Sequence, residues 1–191
     1  MASVRERLIE ATIELVRRHG VAGVGVTEIV ANSKVARRSL YWNFPGGKPE
    51  LVTAATQHAG DETTEVLRAV MESDDPLGSF VEIWKDLVRE SDFEGGCVVS
   101  AAAFGRRDAP DAADAAAEIY TSWTDILAER FHRVEGLELS AATDLAATVV
   151  SSMEGALLLS RAAQSTMPLD QVANQLRMLV EANVSANARE V

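Results

Sequence analysis

Arg37, Arg38, Ser39, Tyr41, Trp42 and Asn43 fall within seven consecutive positions, interrupted only by Leu40 and followed by Phe44. Leu40 and Phe44 are four apart, so on a helix they share one face and the polar residues turn the other way. That outward set matches what the major groove of DNA offers. Arginine forks onto guanine O6 and N7, asparagine onto adenine, and serine or tyrosine hydroxyls onto phosphate. Tyr41 is expected to be exposed; Trp42 stands between an exposed contact and a packing role. Thr27 and Lys48 flank the set at the expected starts of neighbouring helices, where free amides and the helix dipole favour a phosphate. Outside such a setting Arg37, Arg38 and Lys48 would be ordinary solvated charges.

The elements that must hold this face are short. Ser3-Val-Arg-Glu6 is a capping box, and Val4, Leu8, Ala11, Leu15 and Val16 follow at helical spacing until Gly20 ends the helix. Thr27 reads as the N-cap of a second helix that stops near Asn32-Ser33, with Ile29 and Val30 on its buried side. A third runs from Ala36 to Phe44, where Pro45-Gly46-Gly47 breaks it. Residues 27–44 thus form a helix-turn-helix. From Lys48 the helices lengthen: one to about Met71, one opened by Asp75-Pro76, a small-residue segment from Cys97 to Phe104, and one from Asp108-Ala-Pro110 to Gly136. Ser140 caps an apolar helix to Gln164, and Pro168 opens the last. About nine helices and no sustained strand alternation predict an all-α fold.

Composition narrows the function classes. The chain has 191 residues, 47% apolar and 25% charged, with a single cysteine and three histidines. This is the balance of a globular protein, and no run reaches the ~20 uninterrupted apolar residues of a membrane span. One cysteine forms no disulfide framework, and His19, His58 and His132 are too scattered for metal ligands. No metal and no cofactor are implied. The opening Met1-Ala-Ser-Val-Arg-Glu-Arg has no leader-like apolar stretch, so a cytoplasmic location is expected. The net charge of −11 is uneven: residues 1–58 carry eight Lys/Arg against five Asp/Glu, and residues 59–191 carry ten against 24. A basic head on an acidic body suits a chain that meets a polyanion at one end.

In the body, Phe80, Trp84, Phe104, Tyr120, Trp123 and Met153 are candidates to converge on one apolar cavity, with a packed core as the plain alternative. Glu154 sits inside the apolar run Val149–Leu159, where a lone carboxylate is costly to bury. Pairing with Arg161 or a helix-end amide is one account; a counter-ion for a cationic ligand is the other. Cys97 is expected to be an inert buried thiol, with redox sensing as its alternative. Val149, Met153, Leu157, Val172, Leu176 and Leu179 make two apolar faces fit for a four-helix interface between two copies.

Three tracts, Thr27-Glu-Ile-Val-Ala31, Leu40-Tyr-Trp-Asn-Phe44 and Lys48-Pro-Glu-Leu51, resemble the signature of TetR-type transcriptional regulators. Phe44-Pro-Gly-Gly-Lys48, Gly95-Gly-Cys-Val-Val99 and Glu154-Gly-Ala-Leu-Leu-Leu-Ser-Arg161 resemble the LmrA/YxaF-type branch. The resemblance spans nearly the whole chain. It implies an all-α homodimer with a DNA-binding domain (residues 1–47) and a larger ligand-binding and dimerisation domain (48–191). It makes Thr27, Tyr41 and Lys48 phosphate contacts and sets Arg37, Ser39 and Asn43 nearest base edges. It further implies a repressor on a palindromic operator, released by a small lipophilic or aromatic effector. The chain departs from the family pattern at Arg38, where glycine is usual, at Asn32-Ser33, and at Asn43, where His or Tyr is common.

Two other classes remain in view: an activator of the same fold, and an all-α small-molecule-binding protein without DNA activity. An enzyme fits poorly. No Ser/His/Asp set or carboxylate pair recurs at catalytic spacing, and Gly23-Val-Gly25 is too short for a phosphate loop and lacks a preceding strand.

Overall fold

The computed structural model describes residues 2–190. Among these residues there are nine helices and no strand: α1 (Val4–Gly23), α2 (Val26–Ser33), α3 (Arg37–Asn43), α4 (Lys48–Met71), α5 (Pro76–Glu90), α6 (Val98–Phe104), α7 (Pro110–Arg133), α8 (Leu139–Ala163) and α9 (Met167–Glu190). Packing divides them into two compact units. One gathers the chain up to Thr63 together with Gly95–Ile119; the other gathers Thr64–Glu94 and the chain from Tyr120 onward. These units follow packing rather than task, and their limits differ from the functional division at residues 47 and 48 that the resemblance implies.

In the first unit, α1 starts as its capping box requires. Ser3 Oγ accepts the Glu6 amide at 3.1 Å, and the Ser3 amide donates to Glu6 Oε2 at 2.7 Å. Gly20, at φ 70°, breaks the helix, and one more short turn carries it to Gly23. α1 then packs against α2, α3 and α6. Leu8, Ile29, Leu40, Phe44, Leu51 and Val52 are essentially inaccessible and form the core on which α3 rests. α2 begins two residues earlier than expected. Gly25 is its N-cap, with no side-chain cap, and Thr27 lies inside the first turn. The turn into α3 closes through Lys34 in the left-handed conformation.

In the second unit, α5 begins where Asp75-Pro76 predicts. Asp75 Oδ1 accepts the Gly78 amide at 2.9 Å, and proline occupies the first turn, where its missing N–H costs nothing. α5 packs on α8 and α9, and α8 on α9. Lys85 ties α5 to α9: its Nζ donates to Glu82 Oε1 at 2.7 Å and to Asp170 Oδ1 at 2.8 Å. Those hydrogen bonds, Asp170 first, hold the Lys85 ammonium above its ordinary pKa despite burial. α8 starts at Leu139 with Glu138 as N-cap, so Ser140 is not the cap expected from sequence. By length and composition α8 could cross a membrane. One apolar stripe of it is spent on packing, with Leu145, Val149, Met153 and Leu157 buried, whereas Leu139, Leu158 and Leu159 stay exposed.

Candidate nucleic-acid interface and cavity

α3 is anchored by two side chains and exposes nearly everything else. Leu40 is 0% and Phe44 1% accessible, whereas Arg37, Arg38, Tyr41 and Trp42 are exposed. Trp42 is 81% accessible, so it takes no packing role within the chain. Ser39 and Asn43 are half-buried, and Asn43 Nδ2 donates to the Ser39 carbonyl at 2.8 Å. A bidentate grip on adenine therefore requires Asn43 to turn from its own helix.

The flanking residues join this face. Arg37 Nη1 lies 3.4 Å from Thr27 Oγ1, and its guanidinium stands 6.0 Å from the centre of the Tyr41 ring. A methyl group added at Gly47 would sit 3.4 Å from Tyr41 Cε1, so Tyr41 borders the turn that leads into Lys48. Gly47 itself has φ 71°, and the Gly46 amide donates to Glu50 Oε2 at 2.6 Å. Thr27, Arg37, Tyr41 and the start of α4 form one continuous polar and aromatic strip. Of the eight bases before residue 59, Arg17 turns inward. Its Nε is buried without a hydrogen-bond partner, and burial lowers the guanidinium pKa against the opposing influence of Cys97 and Glu62.

The second unit contains a cavity of about 310 Å³. Of the residues weighed from sequence for a cavity, Phe80, Trp84, Trp123, Met153 and Glu154 line it. Phe80 and Trp84 meet edge to face with centroids 5.9 Å apart. Trp123 is fixed by an Nε1 donation to Thr64 Oγ1 at 2.9 Å. Two expected lining residues are absent. Tyr120 stands behind Trp123, edge-on at 5.4 Å. Phe104 is 88% exposed on α6, because that short helix buries Val98, Val99 and Ala102 and turns Phe104 out. Residues the aromatic pattern did not single out complete the wall: Leu67, Phe131, Arg130, Glu135 and Arg177 among them. Arg130 Nε is buried without a hydrogen-bond partner.

The apolar faces expected to join two copies are mostly used within one. Val149, Met153, Leu157 and Leu176 are buried, Val172 is half-buried, and only Leu179 is exposed, at 38%. The strongest apolar stripe of a helix goes first to its own core. The outward face lies beside it: Leu158 at 61%, Leu159 at 57% and Met178 at 61% accessible. Cys97 is buried.

Comparison with known proteins bears directly on both parts. Residues 8–55 match the model of bacterial regulatory proteins of the tetR family, and residues 75–175 match the C-terminal domain of LmrA/YxaF-like transcriptional regulators. The chain belongs to the TetR family. Within that family it is similar to an HTH-type transcriptional regulator of Mycobacterium tuberculosis, with 30% identity over 99% of this chain and 100% of that protein. It is similar also to the HTH-type transcriptional regulator LmrA of Bacillus subtilis, with 29% identity over 86% of this chain and 90% of the relative. The fold matches the regulatory protein TetR from Rhodobacter sphaeroides at a TM-score of 0.84 and 20% identity, over 92% of this chain and 97% of the other. TetR-family membership makes the chain a transcriptional regulator with a DNA-binding domain at its N-terminal end.

Proposed function

We propose that this TetR-family chain is a cytoplasmic, homodimeric repressor that binds a palindromic operator and leaves it when a small lipophilic or aromatic effector fills the body. In this reading residues 1–47 hold DNA, and residues 48–191 hold the effector and the second copy. The observation that carries it is α3: two anchors hold a helix whose exposed face presents Arg37, Arg38, Tyr41 and Trp42 together. Arg37, Ser39 and Asn43 serve base edges; Thr27, Tyr41 and Lys48 serve phosphates; Arg38 and Trp42 extend the contact. No role in it requires catalysis.

The second copy sits on the outward face of α8 and α9. Ser151, Gly155, Leu158, Leu159 and Ala162 recur at helical spacing on α8 and are all exposed. A side chain at Gly155 would meet nothing within 4 Å. An exposed glycine in mid-helix costs about 1 kcal/mol against alanine, and close approach of a partner helix supplies a reason for it. Effector binding then acts as a population shift, favouring a dimer whose two α3 helices no longer match successive major grooves.

The test is selection of bound fragments from genomic DNA, repeated with Arg37→Ala/Tyr41→Phe. We expect a two-fold-symmetric site that the double variant no longer enriches. Affinity should fall about 10³-fold or more between roughly 50 and 200 mM salt, as phosphate contacts require. A chain that enriches no site under either condition is not a DNA-binding repressor.

A further inference from the structure

We propose that the cavity of the second unit takes an amphipathic organic cation: an aromatic or alkyl body bearing one positive charge. The inference rests on the reading of this cavity as the effector site, and adds the sign of the ligand's charge.

The wall carries five carboxylates, Asp74, Asp75, Glu135, Glu154 and Glu181, against two guanidiniums, Arg130 and Arg177. Both guanidiniums are already matched within that wall. Arg177 Nη2 lies 3.1 Å from Asp75 Oδ2, and Arg130 Nη2 lies 3.6 Å from Glu135 Oε1. The formal balance of the lining is thus negative, and the arginines offer little net field to an anion. The surroundings point the same way. Thr64–Glu94 and the chain from Tyr120 onward hold 18 Asp/Glu against eight Lys/Arg. A concave, low-dielectric site in such a field concentrates cations and repels organic anions.

The rest of the wall supplies the body's half of the recognition. Trp84, Trp123, Phe80 and Phe131 give apolar area and electron-rich ring faces, which attract a desolvated cation as well as a neutral ring. The volume of about 310 Å³ limits the ligand to a compact molecule.

The test uses the full chain and three probes. The neutral fluorophore N-phenyl-1-naphthylamine reports occupation of the cavity, with Met153→Trp as the variant that fills it. Tetraphenylphosphonium and tetraphenylborate, alike in shape and opposite in charge, then compete for it. We expect fluorophore binding that Met153→Trp abolishes, and displacement by the phosphonium at about a tenfold lower concentration than by the borate, equivalent to ~1.4 kcal/mol. Glu154→Gln and Glu181→Gln should each narrow that gap, Glu181 being exposed and safe for folding. Equal or preferential displacement by the borate overturns the charge assignment and leaves the effector cavity standing. Failure of the neutral fluorophore to bind overturns the cavity reading itself, and this inference with it.

Discussion

Gly47 holds a left-handed φ of 71° in the turn that leads into Lys48, beside the Tyr41 ring. The conformation is open to glycine and costs about 1–2 kcal/mol for an L-residue with a Cβ. Gly47→Ala should therefore lower the free energy of unfolding by about that amount in a urea titration. The added methyl would only touch the Tyr41 ring, at 3.4 Å, so any loss of operator affinity should follow the strain in the turn rather than a clash. An unchanged midpoint and unchanged affinity would mean that the turn relaxes freely. Arg37 belongs to the opposite case. Its guanidinium makes only two long exposed contacts, 3.4 Å to Thr27 and 6.0 Å to the Tyr41 ring centre, so removing it should change stability little and act mainly on DNA.

At the level of elements, the Lys85 bridge between α5 and α9 has a pH signature. Because Asp170 and Glu82 hold the ammonium above its ordinary pKa, the contribution is complete below the unfolded value of about 10.4 and fades as pH rises through the folded one. Lys85→Met should melt below the native chain at pH 8, and the gap should narrow as pH rises above the ordinary lysine value toward the raised folded one. A gap that is constant across that range would assign the difference to packing of the lysine stem.

The elements were legible where a local rule sufficed. The capping box at Ser3, the break at Gly20 and the Asp75-Pro76 start all stand in the structure, since each depends on neighbours in sequence. Thr27 and Ser140 were misassigned as caps because a suitable side chain sits one or two residues past the start that packing selects. The inward pair Leu40 and Phe44 followed from spacing alone, and with it the outward face of α3. Periodicity marks an apolar stripe on α8 but does not say whether its own protomer consumes it. Val149 and Leu157 were therefore set at an interface, and Met153 at both interface and cavity; all three line the cavity. The aromatic residues carried no sign of which unit would claim them, and Phe104 went elsewhere.

On the scale of the whole molecule, the proposed dimer and DNA binding are linked. Two half-sites held together gain from a second, effectively intramolecular contact that a lone head lacks. Leu158→Lys together with Leu159→Lys alters side chains that are 61% and 57% accessible, so the folded protomer should keep its helix content. Sedimentation should shift to monomer, and operator affinity should fall by more than about 10²-fold. A chain that stays dimeric would place the second copy on some other surface. The charge division of the chain adds a condition: the acidic residues beyond position 58 oppose nonspecific adhesion to DNA, so the salt-dependent affinity should arise from the N-terminal bases alone.

The anchoring of α3 by Leu40 and Phe44 alone also bears on how such a regulator changes over generations. Six of its outward positions, Arg37, Arg38, Ser39, Tyr41, Trp42 and Asn43, carry no core packing comparable to the two anchors. A lineage can therefore try new side chains there while the protein continues to fold. Duplicated copies of such a gene can drift to separate operators before either loses its structure.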